Sequence, residues 1–203
     1  MNGKSGSALR EKMEFFDRLA PEWRRNNRLT LRDRELLLSS LLPGELDRSG
    51  PVLDLGGGPG RLAGLLPRSP ASPLVVFDLS HRMLAESPVP GRRIQGDAHR
   101  LPFRDRTIGL IFCFCAFPHF EGQEEVIREC ARTLRPGGGL IILHGCSREE
   151  INRFHSARDP VIAGDHLPPL EYFRRWGESA GMIPERLEDG RERFLVRYRK
   201  PVF

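Results

Sequence analysis

Apolar positions follow two rhythms along this chain, and the change falls near residue 50. Before it the rhythm is helical. Leu9, Met13, Phe16, Leu19 and Ala20 recur on one face and predict a helix over 9–26. Residues 1–8 are small and polar, and disorder is expected there. Pro21 interrupts the helical pattern. A second helix follows Thr30, which stands three residues before Asp33 as an N-cap would. Its stop is expected at Pro43 and Gly44.

After residue 50 the apolar residues come in short unbroken runs. "PVLDL" reads as a first strand, and "RLAGLL" from Arg61 opens a helix. "PLVVFDL" is a second strand ending at Asp78, and Ser80 caps a short helix through Met83 and Leu84. "GRRIQGDA" holds a third strand and "TIGLIFCFCAF" a long fourth. Residues 123–134 form a helix with Val126, Ile127, Cys130 and Leu134 on one side. "RPGGGLIILHG" is a turn and a fifth strand. Unbroken apolar strands alternating with helices predict a parallel sheet covered on both faces. The ending differs. Ser147 and Glu150 form a capping box, a further helix runs from about Pro168 to Ala180, and Gly181 stops it. "MIPERLEDGRERFLVRYRK" then reads as two alternating strands around "EDGR". The expected fold is α/β, Rossmann-like. Its seven strands are five parallel ones and a closing antiparallel hairpin, with helices on both faces. Residues 1–45 form an N-terminal helical cap and 51–203 the main domain.

Composition narrows the class. Of 203 residues, 39% are apolar and 29% charged, as in an ordinary globular domain. No apolar run is long enough to span a bilayer, and the N-terminus lacks the apolar centre of a signal peptide, so a cytoplasmic location is expected. Cys113, Cys115, Cys130 and Cys146 show no CxxC spacing and read as small buried hydrophobes. Cys113 and Cys115 are expected to face one side of the fourth strand. The net charge of +5 comes in scattered arginine pairs without a long basic run. A solvated surface explains it better than a nucleic-acid interface.

The chemistry concentrates in "VLDLGGGPG". Glycines reach positive φ and let a ligand touch backbone, and the following helix offers free N–H groups. Two templates overlap here. Gly58, Gly60 and Ala63 satisfy the dinucleotide pattern G-x-G-x-x-A. Asp54, Gly56, Gly58 and Gly60 also satisfy D-x-G-x-G-x-G. An acidic residue ahead of the glycines suits a sulfonium and an ammonium better than a pyrophosphate. Asp78 stands where a carboxylate receives ribose hydroxyls in either case. Asp97, in "QGDAHRLPF", stands at the tip of the third strand, where it can accept from an exocyclic amine.

Five stretches in order, "VLDLGGGPGRLAGLL", "VVFDLSHRMLA", "GDAHRLPF", "IGLIFCFCAFPHF" and "ARTLRPGGGLIIL", resemble the class I S-adenosylmethionine-dependent methyltransferases over roughly 51–145. "FFDRLAPEW" is similar to the lead-in of the ubiquinone and menaquinone biosynthesis type. The resemblance implies S-adenosyl-L-methionine as cofactor. It implies that Gly56, Gly58 and Gly60 pass its methionine part and that Asp78 binds both ribose hydroxyls. Leu79 would pack on the adenine, Asp97 would meet its amine with Ala98 beside it, and Cys113 and Phe114 would flank the methyl. Pro59 and Phe77 depart modestly from the family pattern.

Ligands of open parallel sheets lie beyond the strands' carboxyl ends, and His119 and His144 fall there. Either is a candidate base for an acceptor that must lose a proton. Phe16, Trp23 and His155 are expected in the acceptor pocket, with Trp23 in a mobile lid. The spacing of the histidines is not that of a metal site, and none is expected. The acceptor is expected to be a small molecule. The alternatives are an RNA methyltransferase and a non-catalytic module that holds the cofactor.

Overall fold

The computed structural model describes residues 2–26, 29–42, 50–64, 72–87 and 92–202. Seven strands form one sheet: β1 Val52–Leu55, β2 Leu74–Asp78, β3 Arg92–Gln95, β4 Ile108–Phe114, β5 Leu134–His144, β6 Ile183–Asp189 and β7 Phe194–Arg199. Their order is β3-β2-β1-β4-β5-β7-β6. The first five pair in parallel, and β7 lies antiparallel between β5 and β6. The chain leaves β1 toward β2 and β3, then returns to lay β4 on the other side of β1. That reversal opens a crevice at the carboxyl ends of β1 and β4, where such sheets bind ligands.

The unbroken apolar runs have a simple cause. All residues of β1 and β4 are buried, because both faces of the sheet are covered. One face packs Leu53, Val75, Ile111, Leu140 and Val196 under α4 (Gln123–Thr133) and α6 (Leu170–Ser179). The other packs Leu110, Phe112, Ile141 and Leu195 with Leu37 of α2 (Leu31–Ser40). The short α3 (His81–Ala85) follows β2, and α5 (Arg148–Ser156) follows β5. The helix starts are those the sequence marks. Thr30 and Asp33 close a capping box on α2, Ser80 caps α3, and Ser147 and Glu150 close a second box on α5. Gly181, at φ +71°, ends the turn after α6. No helix of the described residues is long and apolar enough to cross a membrane.

Several expectations change. The first helix, α1, runs unbroken from Asn2 to Asn26 through Pro21, so neither a disordered leader over 2–8 nor a break is seen. Phe16 and Trp23, on either side of the proline, both line the same cleft, and a continuous helix keeps both there. This tertiary gain offsets the hydrogen bond that Pro21 cannot make. Cys115 does not share a face with Cys113: β4 ends at Phe114, and Cys115 turns out at φ +55°. β7 does not alternate but is buried from Phe194 to Tyr198, because it became an inner strand. "RPGGG" is more than a turn. It belongs to β5, whose register against β4 jumps from Ile108–Leu134 to Leu110–Gly139, with Gly137 at φ +74° in the bulge. Only the 3-10 turn Arg61–Gly64 is described of the helix expected after the glycine loop, and Pro43 and Gly44 lie outside the described residues.

Candidate active site

The crevice is an open cleft between the strand ends and α1. Its floor is the glycine loop after β1. Gly56, Gly58 and Gly60 have φ of +69°, +53° and +76°. A Cβ on Gly56 would stand 2.5 Å from that of Ala116 beyond β4, so the loops at the switch point nearly touch. A Cβ on Gly57 would stand 2.5 Å from the Asp54 carboxylate. The loop therefore folds directly over that acid.

Asp54 is 1% exposed, and its Oδ2 has no hydrogen-bond partner among the described residues. Burial, then the nearby Asp78 charge, pushes its carboxyl up to about 8, and Arg61 pulls the other way. Asp78, at the tip of β2, accepts from Gly58 N–H at Oδ2 and Ser80 N–H at Oδ1, both at 2.8 Å. Burial still carries it to about 6 against those two bonds. Asp97 accepts from the His99 backbone N–H at 3.0 Å and lies 2.6 Å from its Nδ1. The other ring nitrogen of His99 meets the Glu121 carbonyl. Both partners are acceptors, so the two contacts are satisfied together when both ring nitrogens carry protons. Burial disfavours the charged ring, but the Asp97 carboxylate outweighs it and raises the group.

The roof is α1. Leu9, Lys12, Phe16 and Trp23 line the cleft from it. The helix is tied down by Asp17, which accepts from Ser80 Oγ and, at 3.2 Å, from Arg82 N–H. At the far wall His119 follows β4. Its Nδ1 lies 2.6 Å from Asp165 Oδ2, and Lys12 Nζ donates to Asp165 Oδ1 at 2.7 Å and to the His119 carbonyl at 2.9 Å. Asp165 sits in the loop between α5 and α6. Asn152 bonds both the N–H and the carbonyl of Leu167 there, and His155 Nδ1 donates to the Asp165 carbonyl at 2.6 Å. Burial raises the Asp165 carboxyl, but the bonds from His119 and Lys12 more than reverse this and hold it below the ordinary range.

Residues 53–142 match a family profile described as a methyltransferase domain. The demethylmenaquinone methyltransferase of Thermotoga maritima is 35% identical over 147 residues, which cover 68% of this chain and 63% of that protein. The chain is similar to the class I S-adenosylmethionine-dependent methyltransferases. The malonyl-[acyl-carrier protein] O-methyltransferase of Methylococcus capsulatus is 40% identical over 96 residues, 44% of this chain and 35% of that protein. The chain thus spans less than two thirds of the length of these relatives. A solved S-adenosylmethionine-dependent methyltransferase of Thermotoga maritima superposes with a TM-score of 0.67 at 19% identity, over 93% of this chain and 99% of that one, which shows the fold.

The cofactor of this methyltransferase family is S-adenosylmethionine, and the cleft suits a cationic ligand. Asp54 is a buried acid with an unpartnered oxygen under a loop held open by positive-φ glycines. Of the residues singled out in the sequence, Asp54, Gly56, Gly58, Asp78, Leu79, Asp97, Ala98, Phe114, Phe16, Trp23 and His119 line this cleft. Gly60, Cys113, His144 and His155 do not. Cys113 is fully buried on the sheet face under α4, because strand alternation turns it to the face opposite Phe114. His144 is 5% exposed, edge-on to Phe194, with Nε2 unpartnered among the described residues. Burial, followed by His119 and His155, pushes it down to about 3, which favours the neutral ring. His155 stands behind His119, ring centroids 4.8 Å apart. Trp23 lies on the continuous helix α1 over the cleft. Among the described residues no group of three or more His, Cys, Asp and Glu is placed to hold a metal ion.

Sequence reading passed over Lys12, His99 and the pairing of Asp165 with His119. One signal was available: Lys12 interrupts an apolar helical face one turn from Phe16. The Asp165–His119 pair spans 46 residues and leaves no local signature.

Proposed function

We propose that this methyltransferase transfers a methyl group from S-adenosylmethionine to a small-molecule acceptor. The observation that carries this reading is the set of three carboxylates around one cleft, with Asp54 unpartnered beneath the glycine loop. Asp54, Gly56 and Gly58 would hold the methionine part. Asp78 would take the ribose hydroxyls, Leu79 and Ala98 the adenine faces, and Asp97 its amine. The bound cofactor supplies an electrophilic methyl on a cationic sulfur. The protein's own contribution is orientation, exclusion of water and, where needed, removal of a proton. Helix α1, as the cap, shelters the acceptor side between Phe16, Trp23 and His119. A roofed cleft fits a small acceptor better than a polymer, and unpaired thiols fit a cytoplasmic location.

Calorimetric titration with S-adenosylhomocysteine, with NADH as control, tests the site. Micromolar binding of the first alone is expected, and binding of NADH alone would overturn the assignment. Incubation with labelled S-adenosylmethionine and a panel of phenols, amines and thiols then separates an enzyme from a module that only binds.

A further inference from the structure

We propose that Asp165 and Lys12 are positioning residues that fix His119 as a base facing the cleft, and that the acceptor is a weakly acidic hydroxyl on a flat apolar body. The inference rests on the proposed methyl transfer and goes beyond it. A carboxylate can only accept, so the 2.6 Å contact puts the proton of neutral His119 on Nδ1. The lone pair is then on Nε2, on a ring that lines the cleft. Lys12 completes the lock. It occupies the other Asp165 oxygen and also holds the His119 carbonyl, so one buried ammonium fixes both the acid and the backbone of the base. Phe16 meets the ring edge-on at 4.9 Å and His155 packs on it at 4.8 Å, which leaves it little freedom to turn.

The charged and titratable groups around the ring come from each neighbouring element. They are Lys12 of α1, Asp78 of β2, His144 of β5, His155 of α5 and Asp165 of the loop before α6. Asp165 is the one in hydrogen bond with it. When Nε2 takes a proton from a bound hydroxyl, the Asp165 carboxylate balances the new charge, and the electron pair of the O–H bond stays on oxygen. A thioether or tertiary amine has no proton to give, and a thiol ionises close to neutrality unaided. A phenol-like hydroxyl ionises near pH 10 and gains most from such a base. Phe16, Trp23 and Phe120 supply apolar aromatic walls for its ring.

The test is spectroscopic and needs no turnover. Long-range proton–nitrogen NMR on the histidine-labelled full chain reads the His119 tautomer directly. The Nδ1–H form is expected in the parent chain; the Nε2–H form there would overturn the proposal without any variant. Asp165→Asn is nearly isosteric. Lys12 needs an acceptor and will claim the amide oxygen, so the amide NH2 turns to His119 Nδ1. The tautomer should flip to Nε2–H; an unchanged tautomer in a folded D165N chain would overturn the role of Asp165. The acceptor class is read with 4-nitrophenol, added to the chain saturated with S-adenosylhomocysteine. Bound dye should show phenolate absorbance at a pH below that of its ionisation in water, and D165N should lose that shift. No shift in the parent chain would overturn the hydroxyl class. Failure of S-adenosylhomocysteine itself to bind would instead overturn the methyltransferase reading beneath it.

Discussion

Asp54 has an oxygen that nothing among the described residues satisfies, and this has a measurable consequence. With its carboxyl raised to about 8 it is mostly protonated near neutral pH in the free protein. A cationic ligand favours the carboxylate, so binding must expel a proton. The sign follows from linkage: a ligand that releases protons binds more tightly as pH rises, here up to about 8. S-adenosylmethionine titrated near neutral pH in buffers of different ionisation enthalpy should show release approaching one proton. Asp54→Asn should abolish it. Equal heats in all buffers would contradict the Asp54 assignment.

Asp78 sets the lower limit. A group raised to about 6 accepts ribose hydroxyls only when ionised. S-adenosylhomocysteine affinity should therefore fall about tenfold per pH unit below that point, as expected for one protonation that must be reversed on binding. Asp78→Asn should bind at least about tenfold more weakly near neutral pH, since a charge-assisted hydrogen bond contributes roughly 1.5–3 kcal/mol. Its affinity should also lose the acid limb. A D78N chain that kept that limb would point to another acid.

At the scale of elements, α6 depends on a glycine inside a helix. A Cβ on Gly177 would overlap the Tyr198 ring, which is fully buried in β7 with its hydroxyl donating to the Phe173 carbonyl at 2.6 Å. Helix propensity favours alanine there by up to about 1 kcal/mol, but overpacking costs about 1–3 kcal/mol, so packing wins. Gly177→Ala should lower unfolding free energy by about 1–2 kcal/mol in urea denaturation. A stabilised variant would mean that α6 is not seated on β7. The cap residues act on a smaller scale. Thr30→Ala and Ser147→Ala each remove a side chain that accepts from the third residue of its helix. Each should cost about 1 kcal/mol in the same assay.

At the scale of the molecule, α1 joins the two halves of the cleft. It is bound to the β2 side through Asp17 and to the His119 side through Lys12. Ligand binding should therefore reach Trp23. The chain has two tryptophans, so Trp176→Phe isolates its signal. S-adenosylhomocysteine should change the remaining fluorescence with the same midpoint as the calorimetric isotherm. A flat response would mean that the cofactor does not reach the part of the roof that carries Trp23.

How much was legible in the chain follows from the range of each interaction. Helix caps at Thr30, Ser80 and Ser147 are contacts within three residues, and the structure keeps all of them. The glycine loop with Asp54, and the acids at the tips of β2 and β3, were legible because each belongs to a strand end next to it in sequence. The unbroken apolar runs recorded a sheet buried on both faces, and that is a local statement too. What failed depended on distant partners. Pro21 reads as a break until the cleft beneath α1 holds Phe16 and Trp23 to one helix. β7 reads as alternating until β6 folds outside it. His144 and His119 both end near strand tips, and the sequence treats them alike. Only the tertiary fold buries one against Phe194 and gives the other Asp165, 46 residues away, as its partner. The sequence by itself thus determined the architecture and the glycine loop, because short-range periodicity and backbone freedom encode them. The tertiary structure alone decided which histidine has a carboxylate behind it, because that pairing depends on where two distant loops come to rest.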